Sequence, residues 1–408
     1  MNIYSLQQIE TPRLSIRPIQ MGDEIGLSKA INSSLPTLQR WMPWSKDPSF
    51  KTTQAFVQQS VNAWQAEQSQ EFPMVVIHKA DNKIIAASGY NEKSDLKKSY
   101  YEVGYWIDTH YQGQGFVTEI ANALTRYALI ALNANRVQIC TQEENEKSIA
   151  VAYRCGYQLD AIMQNYCIDC LSGLAANSLL FSCCDITQLP SLDITWQHKE
   201  RPKIPYVKAI TPLDNQPPKA LPRLSTQNLK LLPPHITNAN KLYAAVIGSL
   251  TELSPWFSWA SADLTLPNIE QHLHEGAQAA RDIYSHDHLF YIVWDHNGDS
   301  ILGEVWLKIL DWSYPASIMI NYWFDTQHIG KGLATETIAE LVKYSFSELK
   351  ARRVQLQIAT NNTHSIQLAN RLGFSHEGTL AKHTKNFVTQ EISSSEMFSI
   401  TTLRNLKA

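Results

Sequence analysis

The stretch YWIDTHYQGQGFVTE, from Tyr105 to Glu119, returns as YWFDTQHIGKGLATE from Tyr322 to Glu336, 217 residues further along the chain. Residues on both sides of this stretch recur at nearly the same offset. They form the pairs Asn145 and Asn362, Ser148 and Ser365, Gly156 and Gly373, Trp41 and Trp256, and Trp44 and Trp259. A near-constant offset over so much of the chain indicates a duplicated globular domain. The repeated residues are therefore where the chemistry is sought first.

Composition describes an ordinary globular protein. The chain has 408 residues, of which 44% are hydrophobic and 18% charged, with a formal net charge of −3. This balance gives no positively charged surface for a nucleic-acid backbone, and no apolar run reaches the length of a membrane span. The first residues lack a secretory signal pattern. We expect a cytoplasmic protein with neither nucleic acid nor membrane as a partner.

The six cysteines all lie in the first copy. Cys167 and Cys170, followed by Cys183 and Cys184, have a spacing that can suit zinc. YCIDC and LLFSCC, however, are predicted to be two arms of one hairpin, which would hold Cys170 and Cys183 far apart. We therefore predict no metal site and expect free thiols in a reducing compartment.

Each copy is predicted to be an α+β domain, a mixed twisted sheet flanked by helices. FPMVVIHKADNKIIAASGY is predicted to be two strands about an Asp81-Asn82 turn, and YYEVGYWID a further alternating strand, whereas FVTEIANALTRYALIAL has apolar residues at helical spacing. A short strand, NRVQICTQ, and a helix that opens at Asn145 and closes at Gly156 follow. The predicted domains span residues 1–185 and 221–408, and a proline-rich linker spans residues 186–220.

A glycine turn between strand and helix is the centre of each copy: Gln112-Gly113-Gln114-Gly115 in the first, Ile329-Gly330-Lys331-Gly332 in the second. Such a turn directs several backbone N–H groups and a helix dipole at one point. Without a Cβ, glycine lets a phosphate come close to the backbone. A GxG turn alone is weak evidence, but its repetition with the same downstream Asn-x-x-Ser favours an anion-binding role.

The ordered motifs resemble the GNAT superfamily of acetyl-CoA-dependent N-acetyltransferases, and specifically its RimJ/RimL-type branch. The resemblance rests on Thr11-Pro12-Arg13-Leu14, on Leu38-x-x-Trp41-x-x-Trp44, on the strand from Glu102 to Trp106, on the glycine turn and on the Asn-x-x-Ser helix. It implies that the turn holds the pyrophosphate of acetyl-CoA and that the pantetheine arm lies where two strands separate.

The resemblance also implies roles for individual residues. The residues implied to bind acetyl-CoA are Ile107, Gln112, Gly113, Gln114, Gly115, Phe116, Val117 and Asn145, with Phe324, Gly330, Lys331, Gly332, Leu333, Ala334 and Asn362 in the second copy. Glu102 is the candidate general base, and the alternative is a solvated or ion-paired strand glutamate. Ser148 and Ser365 are candidate proton donors, or simply first-turn serines. Trp41, Trp44, Trp256 and Trp259 are candidate acceptor-binding residues, or core aromatics.

The two copies depart from the family pattern in different places. Val117 replaces the usual Gly or Ala of the turn, and Ala152 and Ala369 replace a tyrosine that many members use as an acid. In the second copy, Ile329 replaces Gln or Arg, and Met319 stands where the first copy has Glu102. The first copy is therefore expected to be nearer to a working enzyme. His272 and His274, which lack a third metal ligand, are expected to face solvent.

The function implied is acetyl transfer from acetyl-CoA to a primary amine, either a protein N-terminal α-amine or a small amine. The alternative is a non-catalytic acetyl-CoA sensor or scaffold in one or both halves.

Overall fold

The computed structural model describes residues 3–67, 69–200, 219–311 and 316–407. These divide into two compact units, the first containing most of residues 3–200 and the second most of residues 219–407. Within the described residues, no helix combines the length and hydropathy that crossing a membrane requires.

The first unit alternates strands and helices in the predicted order. Its elements are β1 (Leu6–Glu10), β2 (Leu14–Pro18), α1 (Glu24–Ser33), α2 (Leu35–Trp41), α3 (Phe50–Gln65), β3 (Phe72–His78), β4 (Lys83–Tyr90), β5 (Tyr100–Ile107), α4 (Phe116–Ala131), β6 (Arg136–Gln142), α5 (Glu146–Arg154), β7 (Gln158–Ile168), β8 (Ala175–Cys183) and β9 (Thr195–His198).

The sheet of the first unit is mixed, as predicted. Strands β1 to β5 pair as antiparallel neighbours, β5 pairs in parallel with β6, and β6 and β7 both pair antiparallel with β8. The parallel pair is possible because α4 carries the chain back across the sheet between its two strands. Helix α4 buries Ile120, Leu124 and Tyr127 against the sheet. Each such side chain contributes about 1.5–3 kcal/mol of hydrophobic free energy.

The second unit repeats this order. Its elements are β10 (Leu224–Ser225), β11 (Leu229–Leu232), α6 (Ala239–Gly248), α7 (Leu250–Leu253), α8 (Leu266–Ala279), β12 (His288–Asp295), β13 (Ile301–Asp311), β14 (Ser317–Phe324), α9 (Leu333–Ser347), β15 (Arg353–Ala359), α10 (Thr363–Arg371), β16 (Ser375–Lys385) and β17 (Ile392–Ile400). Strand β14 pairs antiparallel with β13 and in parallel with β15, as β5 does with β4 and β6.

Part of the predicted linker joins the sheet of the first unit. Strand β9 pairs antiparallel with β1, which places Trp196 opposite Ile9 and packs Trp196 against the core. Ile204 and Tyr206 of the linker lie outside the described residues, as do five of its prolines. The linker bounds therefore remain a prediction.

Helix α5 ends at a glycine that no other residue can replace without movement. Gly156 has φ +76°, and a Cβ there would lie 2.0 Å from the carbonyl oxygen of Gln188. Gly173, in the turn between β7 and β8, has a similar φ of +69°, but a Cβ there would meet nothing within 4 Å.

We predict that Gly156→Ala lowers the midpoint of thermal unfolding more than Gly173→Ala does. The left-handed backbone costs either alanine roughly 1–2 kcal/mol, which in a domain of this size is a few degrees. Only Gly156→Ala adds a clash with backbone. Differential scanning calorimetry of the first unfolding transition provides the comparison, and equal shifts would show that the Gln188 carbonyl moves away without cost.

Candidate functional site

Strands β5 and β6 pair at only three positions and then separate. The pairs are Tyr100 with Arg136, Tyr101 with Val137, and Glu102 with Gln138. Beyond Glu102, β5 stays paired with β4 as far as Ile107, and β6 stays paired with β8 as far as Gln142. The sheet therefore has a wedge-shaped gap, here called the β5–β6 opening, with unpaired backbone on its facing edges.

The second unit has the same gap. Strands β14 and β15 also pair at three positions, of which the last is Met319 with Gln355. The strand geometry that the sequence predicted is therefore present in both units.

The glycine turn lies at the end of each opening strand. Gly113 and Gly115 have φ of +75° and +81°, and Gly330 and Gly332 have φ of +83° and +78°. Helices α4 and α9 begin immediately afterwards. Among the described residues, the first backbone amide of α4 that donates a hydrogen bond within the chain is that of Glu119. Its acceptor is the carbonyl of Gly115. The preceding amides are left to hold an anion together with the helix dipole.

Two cations flank the turn of the first unit. Arg13 donates from Nη1 to the Gln114 carbonyl at 3.0 Å, and its guanidinium lies 4.3 Å from the centre of the Phe116 ring. The Arg13 Nε also bonds the carboxylate of Glu119 at 2.6 Å, which ties the start of β2 to α4. Lys147 donates to Gln112 Oε1 at 3.1 Å from the side of α5. Both cations would favour a phosphate at the turn.

Glu102 lies where the two strands part, at the last paired position of β5. Its carboxylate is 7% exposed and accepts hydrogen bonds from Asn91 Nδ2 at 2.8 Å and from Gln138 Nε2 at 2.7 Å. Both of these donors are neutral amides, and the charge of Lys93 also acts on the carboxylate. Burial raises the pKa of Glu102, and the two donated hydrogen bonds oppose that rise only in part. A carboxylate with a raised pKa is suited to accept a proton near neutral pH.

The orientation of the Gln138 side-chain amide is fixed by a hydrogen bond from Arg136. Arg136 Nε donates to Gln138 Oε1 at 2.8 Å, so the amide nitrogen must face Glu102. Arg136 is fully buried and pairs with Asp160. A continuous chain of hydrogen bonds therefore runs from Asp160 to the Glu102 carboxylate and holds it in place.

The second unit has an equivalent series of hydrogen bonds, but the last acceptor in the series is different. Arg353 pairs with Glu377, and Arg353 Nε donates to Gln355 Oε1 at 2.9 Å. The amide of Gln355 then reaches the sulfur of Met319 at 3.9 Å, in place of a carboxylate. A thioether accepts a hydrogen bond weakly and takes up no proton near neutral pH.

A cavity of about 420 Å³ opens on the face of the first sheet that carries Glu102. Gly89 and Gly104 are paired across β4 and β5 and form part of its wall, next to Asn91. Trp44 and Trp106 line it with ring centres 6.0 Å apart. The cavity, here called the first-unit cavity, therefore lies beside the candidate base.

In the second unit, large side chains stand at the corresponding positions. The pair that matches Gly89 and Gly104 is Trp306 and Asn321. The Trp306 ring packs against Phe257 and Trp259, with ring centres 5.9 and 6.3 Å away. Where the first unit has glycine next to its cavity, the second has a cluster of aromatic rings.

The family model for the acetyltransferase (GNAT) domain matches this chain twice, over residues 13–158 and 228–375. The chain belongs to the GNAT family. The two matches cover the openings, the glycine turns and the helices α5 and α10.

Curated relatives of this GNAT chain are distant. The uncharacterized N-acetyltransferase p20 of Bacillus licheniformis is 32% identical over 87 residues, which are 21% of this chain and 48% of that protein. The putative ribosomal N-acetyltransferase YdaF of Bacillus subtilis is 26% identical over 144 residues, 35% of this chain and 77% of that protein. The chain thus spans about half the length of the first relative. A solved structure, the RimL ribosomal-protein alpha-N-acetyltransferase with coenzyme A, is 15% identical and covers 45% of this chain and 99% of its own, with a TM-score of 0.40.

The Asn-x-x-Ser motif of both GNAT domains is a helix cap. Asn145 and Asn362 each accept a hydrogen bond at 3.2 Å from the amide of the serine three residues on, as the N-cap interpretation predicted. Ser148 and Ser365 are half-buried in the first turn of their helices. Tyr105, to which the sequence interpretation gave no role, brings its hydroxyl within 3.5 Å of the Ser148 carbonyl. Burial raises its pKa and keeps the phenol protonated.

The side chains of most of the remaining predicted cofactor residues pack in the cores of the two units. Ile107 and Phe116 are buried in the core of the first unit, and Val117 packs its side chain against that core rather than over the turn. Phe324, Leu333 and Ala334 pack in the same way in the second unit. Gln114 and Lys331, in contrast, are exposed at the tips of the turns.

The predicted acceptor tryptophans divide into two groups. Trp44 lines the first-unit cavity, whereas Trp41 is half-buried with the guanidinium of Arg40 4.2 Å from its ring centre. Trp259 belongs to the aromatic cluster of the second unit, and Trp256 lies partly exposed beside it. Only Trp44 among the four is part of the cavity wall.

The expectation that His272 faces solvent holds only in part, because its side chain is 34% exposed. Its ring stacks on Phe290 with centres 4.3 Å apart, and its Nε2 lies 3.0 Å from Oε1 of the buried Glu304. Burial lowers the pKa of His272, but the hydrogen bond to Glu304 and the negative charges of Glu304 and Glu275 together outweigh burial, so the pKa is raised. Two histidines two apart on a helix point in different directions, so the spacing could not reveal the buried partner.

We predict that Gln114→Glu weakens acetyl-CoA binding to the first domain about fivefold, because it adds a negative charge where the pyrophosphate is expected. Lys331→Glu changes the charge by two at the second turn and weakens that domain more. Isothermal titration calorimetry on each variant, with the exposed Gln20→Glu as control, measures both. An unchanged affinity in Gln114→Glu would place the phosphates elsewhere.

Proposed function

We propose that the first GNAT domain transfers the acetyl group of acetyl-CoA to a primary amine, either a protein N-terminal α-amine or a small amine. The observation that supports it best is Glu102, a buried carboxylate held by two amides at the start of the β5–β6 opening and beside a cavity. Burying a carboxylate at that point costs free energy, which favours a functional role for it.

The reaction needs little covalent chemistry from the protein. The amine nitrogen bonds to the thioester carbonyl carbon, and the carbon–sulfur bond breaks to release a thiolate. Glu102, directly or through water, takes the proton that the amine must lose, and Ser148 or the phenol of Tyr105 supplies a proton to the sulfur. Holding the amine in the cavity and the thioester in the opening provides much of the rate gain.

For the second domain we propose binding of acetyl-CoA without transfer. Its glycine turn and strand opening match those of the first domain, which supports binding. The absence of transfer is supported by Met319 in place of Glu102 and by Trp306 in place of Gly89, at the two positions that the first domain would use. On this proposal Ser365, Trp256 and Trp259 have structural roles.

We also propose that the protein works in the cytoplasm, away from nucleic acids and membranes. No disulfide joins any of the six cysteines, all of which lie in the described residues, and this fits a reducing compartment. The net charge of −3 gives no general attraction to nucleic acid.

The experiment that tests the transferase is Glu102→Gln, assayed by release of coenzyme A thiol with saturating amine. We expect kcat to fall roughly a hundredfold or more, since a base has been removed. The exposed Glu200→Gln serves as control. Full turnover in Glu102→Gln would remove Glu102 from the mechanism.

The pH dependence provides a second test. Because burial raises the pKa of Glu102, the carboxyl stays protonated to a higher pH than an ordinary glutamate, and activity is lost as pH falls through that raised pKa. We expect the wild-type profile of kcat/KM to contain this limb above the usual range of glutamate. In Glu102→Gln only the titration of the amine should remain. Identical profiles would assign the limb to another group.

Gly104→Phe tests whether the cavity holds the amine. A Cβ at Gly104 meets only the Asn91 amide nitrogen, at 3.8 Å, so the ring can enter the cavity without backbone strain. We expect KM for the amine to rise at least tenfold while calorimetric affinity for acetyl-CoA stays within twofold, and Gly104→Ala to have a smaller effect. A change in acetyl-CoA affinity alone would place the amine outside the cavity.

A further inference from the structure

The wall of the first-unit cavity is mainly apolar and aromatic. Trp44 and Phe56 line it although they are among the exposed large hydrophobic side chains of the chain, with 44% and 38% of their surface accessible. Met42, Trp106 and Ile31 also contribute to the wall. Aromatic rings exposed inside a concave site favour a ligand that covers them.

The charged residues of the wall are all acidic. They are Asp47, Glu71 and Glu92, and no lysine, arginine or histidine is among the described residues that line the cavity. Thr52 and the amide of Ser49 donate hydrogen bonds to Asp47, which lowers the pKa of its carboxyl and keeps it ionised. A cavity with carboxylates and no cation attracts an ammonium group and repels a carboxylate.

The reacting position lies at one end of this wall. Asn91 lines the cavity and also donates to Glu102, and Gly104 is on the same face of β5 as Glu102, two residues further along. An amine placed there has its body directed along the rings of Trp106 and Trp44. A volume of about 420 Å³ is within the range of sites for drug-sized ligands, so the body is larger than a few carbon atoms.

We propose that the acceptor is a small primary amine whose body is apolar and of the size of an aromatic ring, with no carboxylate next to the amine. The proposal rests on the transfer function of the first domain and specifies its second substrate. The amine approaches as an ammonium ion, drawn by the carboxylates of the wall. Its ring packs against Trp44 and Trp106 on the cavity side, and its nitrogen faces Glu102.

A matched panel of amines tests this on the full-length protein. The probes are 2-phenylethylamine, ethylamine, phenylalanine, spermidine and a short peptide that begins with alanine. Ethylamine lacks the ring, and phenylalanine adds only a carboxylate. We expect kcat/KM for 2-phenylethylamine to exceed that for each of the others at least tenfold. Equal rates with ethylamine or phenylalanine, or a higher rate with spermidine or the peptide, would overturn the proposal.

If the first domain does not transfer acetyl groups at all, the panel gives a result that differs from failure of the acceptor proposal. If no amine releases coenzyme A although acetyl-CoA binds, the proposed reaction is wrong. The acceptor class is then tested by binding alone, as the quenching of tryptophan fluorescence by 2-phenylethylamine and by phenylalanine. Saturable binding of the first and not of the second supports the cavity assignment, and equal or absent binding overturns it.

Two variants locate the ring. Trp44→Ala is expected to raise KM for 2-phenylethylamine about tenfold and KM for ethylamine less than twofold, because only the first ligand contacts the indole. Phe50→Ala, which removes an exposed ring of α3 outside the cavity wall, is the control. Equal effects of Trp44→Ala on both amines would show a loss of structure rather than of ring contact. The thermal midpoint and the acetyl-CoA affinity of the variant, measured alongside, distinguish the two.

Discussion

The parallel pairing of β5 with β6 stops after Glu102, and the proposed chemistry of the first unit depends on that interruption. A parallel pair that continued would satisfy the backbone of both strands and close the sheet. Because it ends at Gln138, the sheet opens toward the glycine turn on one side, while the carboxylate at the branch point lies beside a cavity. The chain from Asp160 through Arg136 and Gln138 fixes that carboxylate at the one place where both substrates could meet.

The second unit is an internal comparison, since it has the same strand opening, the same turn and the same arginine–glutamine pair. It differs at the two positions that the reaction would use. Met319 ends the hydrogen-bond chain without a carboxylate, and Trp306 stands where the first unit has Gly89. The retained arginine and glutamine are explained by stability: Arg353 is fully buried and pairs with Glu377, so removing it would leave a buried carboxylate unpaired. On this proposal, the second domain has lost the residues that would bind and deprotonate the amine, while its fold persists.

Much of this could be predicted from the sequence because it depends on local patterns. The order of strands and helices, the glycine turn and the Asn145 cap follow from residues close together in the chain, and the duplication follows from the return of such local patterns 217 residues later. The cavity of the first unit and the aromatic cluster at the matching positions of the second could not be predicted. Both depend on the cross-strand register, which pairs Gly89 with Gly104 and Trp306 with Asn321. The role of Gln138 was missed for the same reason, since the carboxylate to which it donates, that of Glu102, lies on the neighbouring strand β5. The contact of His272 was missed because its spacing to His274 carries no information on Glu304, a buried acid 32 residues away.

The most direct test is a crystal structure of the full-length protein with a non-reactive acetyl-CoA analogue, in which a methylene replaces the thioester sulfur. The account predicts that, in the first unit, the pyrophosphate lies on the amides of Gly113 to Gly115. The pantetheine arm should run through the β5–β6 opening, and the acetyl group should end beside Glu102 and face the cavity. An analogue bound only in the second unit, or with its acetyl group directed away from Glu102, would contradict it.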